Sequence, residues 1–380
     1  MRHSMKILMV GNYENDHQES MMRFASIMFD RLACAGLDVR LIRPAPFFGR
    51  LARSPHGLGK WLGYIDKFLI FPPQLAVIAR WADVVHVCDH SNAPYVLFLG
   101  SRPNLVTCHD LLAIKSALGE IPEVPTKWSG KLLQQWILAG LKKSKLIACD
   151  SVATQNDVIR LCRVAPNRTT IVYLGLNYPY SPMGKARRNA CLTVAGIPTD
   201  RRYIFHVGSN AWYKNRSALI AIYRQLKLAD AMSDLLLVIV GSPLTETQRC
   251  EIHNWGLNEC VIEVGSVDNQ TLCALYSGAS ALVFPSLMEG FGWPILEAQA
   301  CGCPVFATDR APMTEVGGSA ARYFSPDRPA DAATAISGAL ADVESMRQAG
   351  LVNAANFTTE NMVTKYMTLY SQLTAIPSVG

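Results

Sequence analysis

At 380 residues the chain is long for one compact domain and ample for two. Half of it is hydrophobic and 17% is charged, which excludes a mostly disordered chain. The net charge of +6, with no dense Lys/Arg run, disfavours nucleic acid and suits an anionic ligand or an acidic membrane surface.

In chain order, the opening MRHSMKILMVGNY lacks the apolar core and cleavage site of a signal peptide and reads as a first strand. Candidate strands in the first half are Lys6–Gly11, Asp38–Ile42, Asp83–Val87, Asn104–Cys108, Lys145–Cys149 and Thr170–Leu174. In the second half they are Arg202–Val207, Leu235–Val240, Val261–Val264, Ala281–Phe284, Pro304–Ala307 and Arg322–Phe324. Most are continuous Val/Ile/Leu runs, as in a parallel sheet buried on both faces. Helical patterns lie between them, among them Glu19–Ala35, Ser129–Lys143, Asn215–Leu228 and Thr271–Gly278, and Asn361–Leu373 closes the chain. Such alternation predicts right-handed crossovers and an α/β fold of two doubly wound sheets. The alternation breaks once, at Tyr178-Pro179-Tyr180-Ser181-Pro182 with the basic Lys185, Arg187 and Arg188, which reads as a linker. The expected division is therefore 1–182, 183–355 and a terminal helix in 356–380 packing back toward the first domain.

No uncharged apolar stretch reaches the roughly 18 residues of a spanning helix, so none is expected. The eleven cysteines are scattered, with Cys301-Gly302-Cys303 the only close pair. They read as reduced core thiols of a cytosolic protein. His86 and His90 alone have metal-ligand spacing, and they fit a strand and its exit better than a zinc site, so no metal is expected.

In open parallel sheets a ligand lies beyond the carboxyl ends of the strands. Those ends are Gly11-Asn12, Asp89-His90, His109-Asp110 and Asp150-Ser151, then Gly208-Ser209, Gly241-Ser242, Gly265-Ser266 and Pro285-Ser286. Two facing domains would set both groups around one central cleft. The most informative stretch follows the tenth strand: MEGFGWPILEAQACGCPV, Met288–Val305. Gly290 and Gly292 allow a tight turn, Pro294 suits a helix start, and a helix N-terminus there would bind a phosphate. Glu289 and Glu297 flank it. Carboxylates cannot serve a phosphate but do serve hydroxyls, a sugar on one side and a ribose on the other. A glutamate near a helix start is also favoured by the helix dipole alone, so the whole string carries the reading rather than either acid.

That string, EGFGWPILE, resembles the signature of the family-4 retaining glycosyltransferases of the GT-B fold, an E-x7-E pattern. The resemblance extends over nearly the whole chain, through VTCHDLLA (Val106–Ala113), DSVATQNDV (Asp150–Val158), IVYLGLN (Ile171–Asn177), HVGSNAWYKN (His206–Asn215) and APMTEVGGSAARYFSPD (Ala311–Asp327). It implies transfer of a sugar from a nucleotide-diphosphate sugar to a glycan or lipid-linked acceptor, with retained configuration and the nucleotide sugar as co-substrate rather than a cofactor. Lys214 matches the family's diphosphate-pairing lysine, Glu289 the glutamate near the transferred sugar, Glu297 the ribose-binding glutamate and His109 the histidine near the reaction centre. Gly208, Ser209, Gly290, Phe291 and Gly292 would bring backbone to the donor. Val267, in VGSVDNQTLCALY (Val264–Tyr276), belongs to a segment resembling the one that reads the nucleobase. Asn12 and Asp110 are the candidates on the acceptor side, where the loop GNYENDHQESMMRF also suits a polar contact or a capped helix start.

No D-x-D motif occurs in the chain, so fixed protein charges are expected to meet the leaving diphosphate, with same-face displacement as the mechanism. One departure from the family is Tyr213, where an arginine often precedes the lysine; Arg216 is a candidate substitute. Two basic aromatic stretches, Lys60–Phe71 and Lys127–Lys145, suit the inner face of a membrane, although ordinary packing of their apolar faces onto the first sheet is the expectation. A sugar-nucleotide epimerase, a phosphorylase and a non-catalytic sugar-nucleotide-binding subunit stay open as alternatives.

Overall fold

The computed structural model describes residues 4–51, 58–229, 232–340 and 343–375. The chain forms two compact units, one made of the residues up to Asn177 together with those from Thr359 onward, the other of Tyr178–Thr358. Each holds one parallel six-stranded sheet.

In the first unit the strands are β1 (Lys6–Val10), β2 (Asp38–Ile42), β3 (Val84–Val87), β4 (Asn104–Cys108), β5 (Leu146–Cys149) and β6 (Thr169–Ile171). Their spatial order is β2-β1-β3-β4-β5-β6. In the second unit they are β7 (Tyr203–Gly208), β8 (Leu236–Gly241), β9 (Val261–Val264), β10 (Ala281–Phe284), β11 (Val305–Thr308) and β12 (Ala321–Phe324). Their order is β12-β11-β10-β7-β8-β9. All twelve expected strands are present, with ends displaced by a few residues at most. Their apolar runs are inside for the reason the sequence suggests: β3, β4 and β10 are buried along their whole length, between helices on both faces.

The two orders fix where each sheet opens. In the first, the chain leaves β1 toward β2 and returns on the other side as β3. In the second, it leaves β7 toward β8 and returns as β10. At these reversals the connections diverge and leave a crevice at the carboxyl edge.

The structure qualifies three expectations. Lys185, Arg187 and Arg188 are not linker but lie in a helix, Lys185–Val194. Its Leu192 is buried, Arg188 donates to the Ser277 carbonyl at 3.5 Å and Arg187 to Gln270 at 3.0 Å. Second, the helical run Gly59–Trp81 is long and apolar enough to cross a membrane by length and composition, although only a third of its most apolar window is buried. The uncharged-stretch criterion missed it because Asp66 and Lys67 interrupt the run. Asp66 is buried and accepts from the Tyr13 hydroxyl at 2.8 Å and from the Phe48 and Gly49 amides at 3.0 and 2.9 Å, which ties the run to the unit's own loops.

Third, the helix Trp128–Lys143 does not turn both aromatics to the sheet. Ile137 and Leu141 are buried, whereas Trp128, Leu132 and Trp136 are exposed. The closing helix Thr359–Ala375 packs on the first sheet. Its Tyr370 hydroxyl meets His86 Nδ1 and its Tyr366 hydroxyl meets Thr107 Oγ1, both at 2.8 Å. Thr107 also meets His86 Nε2 at 2.8 Å, so both nitrogens of this strand histidine are used inside the core.

Candidate active site

In the second unit, the functional candidates gather at the β7/β10 opening. After β10 the chain runs through Pro285–Gly292 into the helix Trp293–Ala300. Gly292 caps that helix at φ +106°, a conformation that only glycine takes readily. Pro294 is the second helical residue and Glu297 the fifth, so Glu297 lies just past the first turn rather than on it. After β7 the chain makes a short turn, Trp212–Lys214, before the helix Arg216–Lys227. One backbone bond, from the Leu287 amide to the Tyr213 carbonyl at 2.7 Å, joins the two loops.

Across that joint the Lys214 ammonium meets Glu289 Oε1 at 2.7 Å, with both side chains largely shielded at 13% and 12% exposure. The charged pair sits over the end of β10, with Lys214 Nζ 5.2 Å from the Phe284 ring. Gly290 and Gly292 follow immediately, and Phe291 is buried against Phe357 with ring centroids 6.0 Å apart. Glu297 is buried and accepts from the Tyr276 hydroxyl at 2.9 Å. Burial and this carboxylate hold the Tyr276 phenol well above its usual pKa, so it stays a donor. Tyr276 belongs to the helix Asn269–Gly278, capped by Asp268 accepting from the Thr271 amide at 2.7 Å. Val267, half-buried, directly precedes that cap.

Gly208 ends β7, and Ser209 after it is exposed. Arg216 does not act as a free guanidinium beside Lys214. It is buried and donates to the carbonyls of Gly208 and Ser242, both at 2.6 Å, and of Val240 at 3.2 Å. Its two terminal nitrogens are engaged in shaping the ends of β7 and β8. Gly241 is part of the same arrangement: it has φ +113°, and a Cβ there would lie 2.3 Å from the Gly208 carbonyl oxygen.

In the first unit, His109 is buried at the end of β4 with both ring nitrogens engaged. Nδ1 meets Asp150 Oδ2 at 2.6 Å and Nε2 meets the Cys88 carbonyl at 2.9 Å. A carbonyl can only accept, so Nε2 carries a proton. Burial disfavours a charged ring, but the Asp150 carboxylate outweighs it and raises the His109 pKa to about 9. Phe24 packs edge-on against the ring at 4.9 Å.

At the β1/β3 opening, Asn12 is buried and its Nδ2 donates to Asp89 at 2.5 Å and to Gln18. His90 Nδ1 lies 3.1 Å from the other Asp89 oxygen. Asp110 accepts from the Leu112 amide at 2.9 Å. Asp89, His90 and Asp110 line a cavity of about 840 Å³, together with Tyr13, Asp16 and Gln18 of the loop after β1. Asp16 is not a helix cap: it binds Lys67 at 2.7 Å. Among the described residues no three His, Cys, Asp or Glu side chains cluster in a way that could hold a metal ion.

Residues 192–353 match the family described as Glycosyl transferases group 1. The match covers most of the second unit and none of the first. The chain is 27% identical over 276 residues to O-antigen chain mannosyltransferase B of Escherichia coli, covering 71% of this chain and 70% of that one. It is 24% identical over 289 residues to a D-inositol 3-phosphate glycosyltransferase of Corynebacterium efficiens, covering 73% and 68%. Among solved structures, sucrose-phosphate synthase from Thermosynechococcus elongatus superposes with a TM-score of 0.74 at 18% identity, over 98% of this chain and 99% of that one. HepE of Anabaena, in complex with UDP and glucose, gives 0.73 at 17%, over 98% and 100%. The chain therefore has the two-domain α/β architecture, GT-B, of these neighbours.

Gly208, Ser209, Lys214, Val267, Glu289 to Gly292 and Glu297 all fall within the matched residues; Asn12, His109 and Asp110 lie outside them. Three residues that shape these sites escaped sequence reasoning. Tyr276 lies in a helix whose sequence gives no sign of its bond to Glu297. Arg216 is a candidate ligand donor by sequence, and nothing in its spacing shows that it binds the carbonyls at the strand exits instead. Asp66 did leave a signal, as a lone acid inside an apolar helix.

Proposed function

We propose that the chain is a retaining glycosyltransferase of the family-4 type, moving a sugar from a nucleotide-diphosphate sugar to a glycan or lipid-linked acceptor without a metal. The observation that carries this is the shielded Lys214–Glu289 pair, 2.7 Å apart at the β7/β10 opening of a group 1 domain. A lysine there neutralises charge as it develops on a leaving diphosphate, and the amides at the start of the helix Trp293–Ala300 add dipoles. Glu289 orients the ammonium and offers an acceptor to sugar hydroxyls, and Glu297 offers one to a ribose. HepE of Anabaena was solved with UDP and glucose, which supports a nucleotide-sugar donor.

In the proposed step the acceptor oxygen bonds to the anomeric carbon on the face the diphosphate leaves. The carbon–oxygen bond to phosphate breaks, its electrons stay on the phosphate oxygen, and that oxygen takes the acceptor's proton. His109, held between Asp150 and Cys88, acts in this reading as a positioning residue that keeps the β4 exit beside Asp89.

Lys214→Ala and Glu289→Ala are expected to lower kcat by about 10²–10³, the size of losing one preorganised charge partner, with unchanged melting temperature and no loss of wild-type rate in EDTA. Wild-type-like turnover in both variants would sink the assignment, and a rate abolished by EDTA would sink the metal-free part. The working location that follows is the cytoplasm, at the inner face of a membrane.

A further inference from the structure

The cavity of about 840 Å³ in the first unit has a lining whose chemistry selects among acceptors. Its volume is that of a small-molecule site. Three carboxylates line it, those of Asp16, Asp89 and Asp110. Burial alone would lift the Asp89 carboxyl, but the charge and hydrogen bond of His90 hold it well below the usual range, so it is anionic at neutral pH. Among the described lining residues the cationic groups are paired or peripheral, His90 lying 3.1 Å from Asp89. Lys67 is held by Asp16 at 2.7 Å, with its ammonium 5.5 Å over the Tyr13 ring and 5.1 Å over Tyr64. Lys60 is an exposed residue at the edge.

Two polar atoms on the wall, Asn92 Nδ2 and Gln134 Oε1, are buried and have no hydrogen-bond partner among the described residues. Asn92 is itself only 6% exposed. One is a donor and the other an acceptor, and leaving either unpaired is costly. Tyr64 and Phe68 supply aromatic faces, and Leu133 and Ile137 an apolar side.

We propose that this cavity binds the acceptor, and that the acceptor's reactive end is a neutral, polyhydroxylated sugar rather than a phosphorylated one. This rests on the transferase reading above. A hydroxyl both donates and accepts, so a sugar can satisfy Gln134 Oε1, Asn92 Nδ2 and the carboxylates at once, while its apolar face lies on Tyr64 or Phe68. A phosphate group would put two negative charges opposite Asp89 and Asp110, with Lys67 already paired with Asp16 and His90 with Asp89.

The test is binding to the full chain without donor, followed by saturation-transfer NMR. The probes are the methyl pyranosides of glucose, galactose, mannose and N-acetylglucosamine, set against glucose 6-phosphate and mannose 6-phosphate. At least one neutral glycoside is expected to bind, each phosphate ester about tenfold or more weakly, and Gln134→Ala to weaken the glycoside about tenfold, the effect of one hydrogen bond. Asn92→Ala should do the same, and Gln134→Ala, at a half-buried helix position, covers the case in which the Asn92 variant fails to fold. Phosphate esters binding as tightly as the glycosides, no glycoside binding, or an unaffected Gln134→Ala would each overturn the proposal. UDP and GDP binding is followed in parallel by thermal shift. Nucleotide binding without glycoside binding removes this inference alone, whereas loss of nucleotide binding removes the transferase reading beneath it.

Discussion

Glu289 and Lys214 were both singled out by type and setting, yet nothing along the chain says that one would hold the other at 2.7 Å. The same is true of His109, whose partners Cys88 and Asp150 come from the exits of neighbouring strands. The His109 arrangement has a pH signature. The ring pKa is raised from 6.5 to about 9, so its contribution to stability is full below pH 6.5 and is lost as pH rises through about 9. Chemical denaturation across this window should show stability falling with pH in the wild type, and the slope should flatten in Asp150→Asn. At Gly241, substitution by alanine meets both a φ of +113° and a contact of 2.3 Å with the Gly208 carbonyl. We expect Gly241→Ala to cost about 2–3 kcal/mol in denaturant unfolding and to weaken nucleotide binding, because the Arg216 clamp and the β7 exit move with it. The requirement for glycine at such strand exits was legible in the sequence; the identity of the atom it must avoid was not.

Among the elements, the strands were the most legible because a strand buried on both faces must be apolar throughout, and that pattern survives without knowledge of its neighbours. Helices were legible where one face was apolar, but not which neighbour that face would meet. The basic start of Lys185–Val194 hid a helix behind a proline-rich approach. The helix Thr359–Ala375 was visible, whereas its two tyrosines bonding to His86 and Thr107 were not. Tyr370→Phe leaves His86 Nδ1 without its partner and should cost about 1–3 kcal/mol. A chain ending at Thr358 should show faster amide exchange in β3 and β4 while β7 and β8 keep their protection. Equal loss in both sheets would mean that the helix supports the second unit as strongly as the first.

For the molecule as a whole, charge and apolar surface bear on where it works. Trp61, Leu69, Trp128, Leu132 and Trp136 are exposed, and Phe68 packs at a tilt against Trp136 with centroids 5.3 Å apart, so the two basic aromatic helices share one outer surface of the first unit. With a net charge of +6, we propose that this surface rests on anionic lipid. Flotation with vesicles containing phosphatidylglycerol should carry the chain upward, and Trp128→Glu with Trp136→Glu should leave it at the bottom; absence of the wild type from the floated fraction sinks the proposal.

Taken by itself, the amino-acid order determined the alternation of strands and helices and the glycine-lined turn between Glu289 and Glu297, because each depends on residues within one turn or one strand. Tertiary structure alone decided that Arg216 binds carbonyls, that Trp128 and Trp136 face outward, and that Asn92 and Gln134 line one cavity. Those outcomes depend on how strands order themselves in the two sheets, and strand order follows from burial and crossover geometry spread over many residues rather than from any local run.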